Sequence, residues 1–209
     1  MPESSTPRSS HPPSWENFDR HAPLVSTRAS DIFTSTGDIN RFCARYRLAR
    51  SLRFLNLDGY SPSVTLGYTS LFRLLMTWSA FEFFLKAVRI DKRHAGQLLA
   101  EPERLALMTS IRAADPNCMI LQFVRERTAN RSFCRELDLC IASQPFDPLC
   151  IVPSIRHLFA HGELASSSGA GEGQRMSALC DVLTEGIFLV IDREFEQRVA
   201  LFEARVNDR

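Results

Sequence analysis

From Ser61 to about residue 90 the chain carries apolar side chains around most of the circumference of a helix. A helix of that kind is stable only with other elements on most of its sides, so it must be the centre of a bundle. Ser61 offers a capping hydroxyl and Pro62 fits the first helical position. Arg73, Glu82 and Lys86 interrupt its most hydrophobic part, residues 71–88, which therefore reads as a buried helix and not as a membrane span. The 209 residues suffice for one core of this type and are too few for two comfortable ones. No stretch alternates in the manner of a strand and no internal repeat stands out, so the fold class predicted is all-α.

Other segments follow the same helical period. Ile39, Phe42, Tyr46, Ala49 and Leu52 place a first helix from Asp38 toward Gly59. A third helical stretch covers about 95–114, with Pro102 breaking it or opening its second half, and Asp115-Pro116-Asn117 forms a turn. Shorter helices are expected over 118–126 and 132–142, then a proline-braced loop at 143–148 and a short helix ended by Gly162. Residues 166–173 read as a flexible Gly/Ser loop; with no strand before it and no lysine in it, it is not a phosphate-binding loop. A long last helix from about 174 to 205 carries Leu179, Leu183, Ile187, Val190, Ile191, Phe195, Val199 and Phe202, more apolar positions than one packing face requires, with the surplus available to a dimer. Residues 1–36 are rich in Ser, Thr and Pro and poor in aliphatics. That composition does not repay ordering entropy, so they are expected to form a loose arm with a helical turn at 15–18, preceding a helical domain over 37–209.

Charge narrows the function. Lys and Arg total 25 against 24 Asp and Glu, a net +1 that argues against coating nucleic acid by overall charge while leaving a local basic groove open. Only Lys86 and Lys92 are lysines; the other cations are arginines, whose forks suit phosphate and carboxylate. Six cysteines lie without CxxC spacing, mostly in apolar stretches, and the polar, proline-rich start has no signal-peptide core. The expected setting is a reducing cytoplasm with no membrane partner.

The sharpest pattern is Ile155-Arg156-His157-Leu158-Phe159-Ala160-His161-Gly162. At about 100° per residue, Ile151, Val152, Ile155, Leu158 and Phe159 fall on one side, while Arg156, Ala160, His157 and His161 span roughly 140° of the other. The helix is thus anchored by aliphatics and presents a guanidinium and two imidazoles, with small Ala160 leaving room for a phosphate-sized group. Arginine can hold a phosphate and histidine can move protons near neutrality, so the group suits cleavage of a phosphodiester whose own 2′-hydroxyl is the nucleophile.

This run resembles the Arg-x4-His signature of HEPN domains, small helical bundles that include many metal-independent endoribonucleases of toxin–antitoxin, phage-defence and RNA-processing systems. The resemblance implies that Arg156 and His161 are catalytic and that His157, at a place often held by asparagine, is a supporting polar group. It implies an RNA substrate, no cofactor and no metal. It also implies a homodimer whose two motifs face one RNA cleft, and an antitoxin or regulatory protein as a further partner. A subgroup with tyrosine two residues after the histidine differs here, where Glu163 stands.

Three further readings accompany this one. Glu82, alone among apolar neighbours, has Lys86 at the favourable spacing of four as its first expected partner, and Arg156 as the functional alternative. Arg41, Arg45, Arg47, Arg50 and Arg53 give the first helix a basic side, an ordinary solvated face unless RNA is bound, in which case Arg45 and Arg53 are candidate backbone contacts. His157 and His161 have a metal-pair spacing but no acid follows His157 and no third ligand is evident, so metal binding is the weaker reading. The rival to an enzyme is a non-catalytic helical module that binds RNA, a nucleotide or a protein.

Overall fold

A computed structural model describes residues 10–165 and 172–208, of which the side chain of Glu172 is excepted. The described residues form helices and no strands: α1 (Trp15–His21), α2 (Val25–Arg28), α3 (Thr36–Ser51), α4 (Pro62–Ala87), α5 (Glu101–Ala114), α6 (Met119–Arg127), α7 (Arg131–Ile141), α8 (Ile151–Ala160) and α9 (Glu172–Asn207), with 3₁₀ turns at Ala22–Leu24, Lys92–Leu98 and Pro148–Cys150. The fold is an all-α bundle with a long central helix and a long C-terminal one, as the apolar periodicity predicts.

α4 is the hub. Ser61 caps it through its hydroxyl, which accepts from Val64 N–H at 3.4 Å, and Leu71, Leu74, Phe81 and Phe84 are fully buried. Its order of contacts with α9 is ascending on both helices: Ser70 Oγ meets Ser177 Oγ at 2.8 Å, and Arg73 binds Glu185 at 2.7 Å, so the two run parallel. Gly173 fits at the start of this seam because a Cβ there would collide with the backbone of Ser63. α3 lies antiparallel to both: Phe42 meets Phe84 and Phe195, while Arg50 reaches back to Asp192 at 2.6 Å. Two parallel neighbours need a long crossover, and residues 88–171 supply it, carrying α5 to α8.

The expected arm is corrected. Residues 10–36 are ordered against the bundle: Phe18, Ala29 and Phe33 are 0% exposed, Val25 is 1% exposed, and Trp15 stacks on Phe195 with ring centroids 6.2 Å apart. The aromatic groups outweigh the polar composition around them, because rings on α9 receive them. Residues 1–9 lie outside the described part, as do 166–171 of the expected flexible loop; Gly173 already belongs to α9. The first helix ends at Ser51, well before Gly59, and Leu52 turns extended.

Two carboxylates tie elements together. Asp115, 1% exposed, accepts from the N–H groups of Met119, Ile120 and Leu121 at 2.9–3.0 Å, collecting donors that the first turn of α6 leaves open. Asp115→Ala should lower stability in urea unfolding by about 2 kcal/mol, since three N–H donors at the start of α6 lose their acceptor. Asp38 joins α3 to α4. Its hydrogen bond from Lys86 at 3.0 Å, with help from Thr34 and Ser35, holds its carboxyl down at about 2, against an ordinary 3.8. A depressed acid stabilises the fold above pH 3.8 and loses that contribution as pH falls through about 2. Acid unfolding followed by circular dichroism should therefore show Asp38→Asn less stable than the parent at neutral pH, with the difference closing below pH 3.8.

All six cysteines are free; Cys43, Cys140, Cys150 and Cys180 are buried. Burial pushes the thiols of Cys43 and Cys140 up to about 12, so they stay protonated and unreactive. No helix among the described residues is long and apolar enough to cross a membrane.

Candidate functional site

The motif helix α8 is built as its sequence pattern dictates. Ile151, Val152, Ile155 and Leu158 are all 0% exposed and Phe159 is half-buried, so one face is sunk into the crossover region. The C-terminal end closes in a Schellman arrangement: Gly162 N–H donates to Phe159 O at 3.0 Å and Glu163 N–H to Leu158 O at 2.9 Å. This requires a left-handed residue, and Gly162 takes φ +73°. Leu164, buried behind the turn, donates its N–H to Leu158 O at 3.2 Å and pins the chain as it leaves. His161 is consequently held at the capping position that follows Ala160, with φ −93° and its N–H donated to His157 O at 3.1 Å.

Arg156, His157 and His161 are exposed. The two imidazoles stand with ring centroids 4.4 Å apart and planes at 61°. Arg156 forms no ion pair among the described residues, in contrast to Arg50 and Arg73, whose forks are taken by Asp192 and Glu185. An unpaired guanidinium beside two imidazoles is a ready anion site with proton carriers attached.

Arg156 and His157 also border a cavity of about 660 Å³ formed where α4, the Lys92–Leu98 turn, α7 and α8 meet. Trp78 and Glu82 come from α4, Lys92 and Arg93 from the turn, Phe133 and Glu136 from α7. Gly96 lets the turn lie against Asp147, since a Cβ there would run into that carboxylate. Burial pushes the Asp147 carboxyl above its ordinary range, and Glu136 accepts its backbone N–H at 2.8 Å. Arg93 is forked onto Asp91, whose carboxyl that hydrogen bond holds at about 2. Lys92 has no such partner among the described residues. A larger depression of about 1210 Å³ lies along α3, α5 and α9, but among its polar groups Arg50, Asp192 and Tyr46 already satisfy one another, with Tyr46 Oη donating to Asp192 at 2.7 Å.

The expected Glu82–Lys86 pair is not formed. Lys86 reaches Asp38 across to α3, and Glu82 is left half-buried with no ion pair among the described residues. Glu82 shares the cavity with Arg156, so the functional alternative keeps the proximity although no direct bond joins them. Arg45 and Arg53 do not border this cavity. The Arg45 guanidinium lies over the Phe83 ring, 3.7 Å from its centroid, and Arg53 sits beyond the end of α3 beside Arg50 and Arg73. Lys92, Phe133 and Trp78 were not anticipated at the site; each belongs to a different element, and no spacing links them.

Among the described residues, no three His, Cys, Asp or Glu side chains converge as a metal-holding group. His157 and His161 would supply two donors at most. No family model, curated protein or solved structure matches this chain.

Proposed function

We propose that the chain is a metal-independent endoribonuclease of HEPN type. The observation that carries this reading is the exposed face of α8, where Arg156, with no ion pair among the described residues, and the 4.4 Å imidazole pair of His157 and His161 stand together. Arg156 clamps the non-bridging oxygens of the scissile phosphate and stabilises the charge that grows on them. His161 takes the 2′-hydroxyl proton or returns one to the leaving oxygen, and His157 supports it from the adjacent turn. The 2′-oxygen attacks phosphorus, the bond from phosphorus to O5′ breaks, and the proton ends on O5′. The products are a 2′,3′-cyclic phosphate and a 5′-hydroxyl.

The face is open on one chain, so the active unit is a homodimer whose two copies of α8 close one cleft over the RNA. A toxin or defence role in a reducing cytoplasm, with an antitoxin or regulatory protein as partner, belongs to the same reading; the six free thiols are compatible with that compartment. The experiment is RNA cleavage in excess chelator, with the termini of the products identified. Cyclic phosphate ends that vanish in Arg156→Ala and His161→Ala support the reading. Cleavage that requires added metal, or persists in both variants, overturns it, and RNA bound but left intact by the parent identifies a non-catalytic binding module.

A further inference from the structure

We propose that the cavity beside Arg156 takes one guanine nucleotide of the RNA strand, with Glu82 reading the edge of the base. This rests on the proposed RNA substrate and adds a base preference to it. The volume of about 660 Å³ falls in the ~300–1,000 Å³ range of sites for ligands of this size. The polar groups are divided. Arg156 and Lys92 offer positive charge to backbone phosphate at the rim. Phe133, half-buried on α7, and Trp78, 4% exposed on α4, provide flat apolar walls of the kind that splayed bases stack on.

The acceptor that selects the base is Glu82. An ionised carboxylate only accepts hydrogen bonds, through two oxygens side by side. Guanine alone presents two adjacent donors, N1–H and the 2-amino group, on its Watson–Crick edge; adenine, cytosine and uracil each set an acceptor beside a donor. A carboxylate pairs with guanine twice and with each of the others at most once. Glu82 is available for that role because Lys86, its expected partner, is bound to Asp38. The indole N–H of Trp78, a residue of the cavity wall, also has no acceptor among the described residues, leaving a buried donor for which a bound base or ribose oxygen is the natural partner.

The test uses mononucleotides, which the proposed reaction cannot cleave. Titration of the full chain with GMP, AMP, CMP and UMP by calorimetry should give GMP at least about tenfold tighter than the rest. Glu82→Gln puts a donor where an acceptor was; it should remove the preference while leaving the melting temperature within a degree or so of the parent. Four equal affinities, no binding, or a preference that survives Glu82→Gln would overturn the proposal. Cleavage of RNAs differing at one base separates a second role: if Glu82→Gln slows all of them equally, Glu82 positions Arg156 and does not read a base. Guanine-selective binding by a chain that cleaves no RNA keeps the pocket and removes the nuclease.

Discussion

His161→Ala is expected to slow RNA cleavage by about 10²–10⁴-fold, the range that one general acid–base group supplies. The substitution should leave the fold intact, because His161 is exposed and the turn around it is held by backbone bonds of Gly162, Glu163 and Leu164. Arg156→Ala should cost about 10²–10³-fold, as loss of a charge-stabilising donor does. Arg156→Lys should recover little, since a point charge cannot hold two phosphate oxygens in the plane of a fork. Residues that act as one unit are not additive, so the double variant should fall well short of the product of the two losses. Single-turnover cleavage of a labelled RNA, with melting temperatures measured alongside, checks all four proteins. Equal rates for parent and His161→Ala would remove the imidazole from the chemistry.

Phe195→Ala should be the most damaging core change, at about 3–5 kcal/mol. Phe195 is 1% exposed and its ring meets four others: Trp15 and Phe18 of α1, Phe33 between α2 and α3, and Phe42 of α3, with centroids 5.7–6.3 Å apart. Truncation empties a cavity bordered by three separate segments, none of which can collapse without dragging its helix off α9. Urea unfolding should show the loss together with easier proteolysis of residues 10–36. A loss below about 1 kcal/mol would mean that the aromatic group is not what retains those residues.

The sequence tells its helices well and its tertiary partners badly, for physical reasons. The Ser61-Pro62 start of α4 and the glycine stop of α8 are local devices, complete within a few residues, and both form where expected. The end of α4 is less legible: Arg89 adopts φ +59° and the helix stops at Ala87, ahead of the apolar pattern, which runs on to Ile90. Residues 10–36 defeat a compositional reading because the partners of Trp15, Phe18 and Phe33 lie more than a hundred positions away on α9. Glu82 and Lys86 obey the spacing rule for a helical pair, yet Asp38 brings a better-desolvated carboxylate along with two hydroxyls, and Lys86 goes there. The polar arc of α8 is readable from periodicity alone. The cavity next to it is not, since its lining is drawn from several elements far apart in the chain.

The parallel seam of α4 and α9 has a consequence for how the protein is made. α4 is synthesised before the crossover, and the parallel helix that packs along it, with the rings that receive Phe18 and Phe33, only after the crossover. Until residues 172–207 have left the ribosome, α4 can pack on α3 but the apolar seam that α9 fills stays exposed.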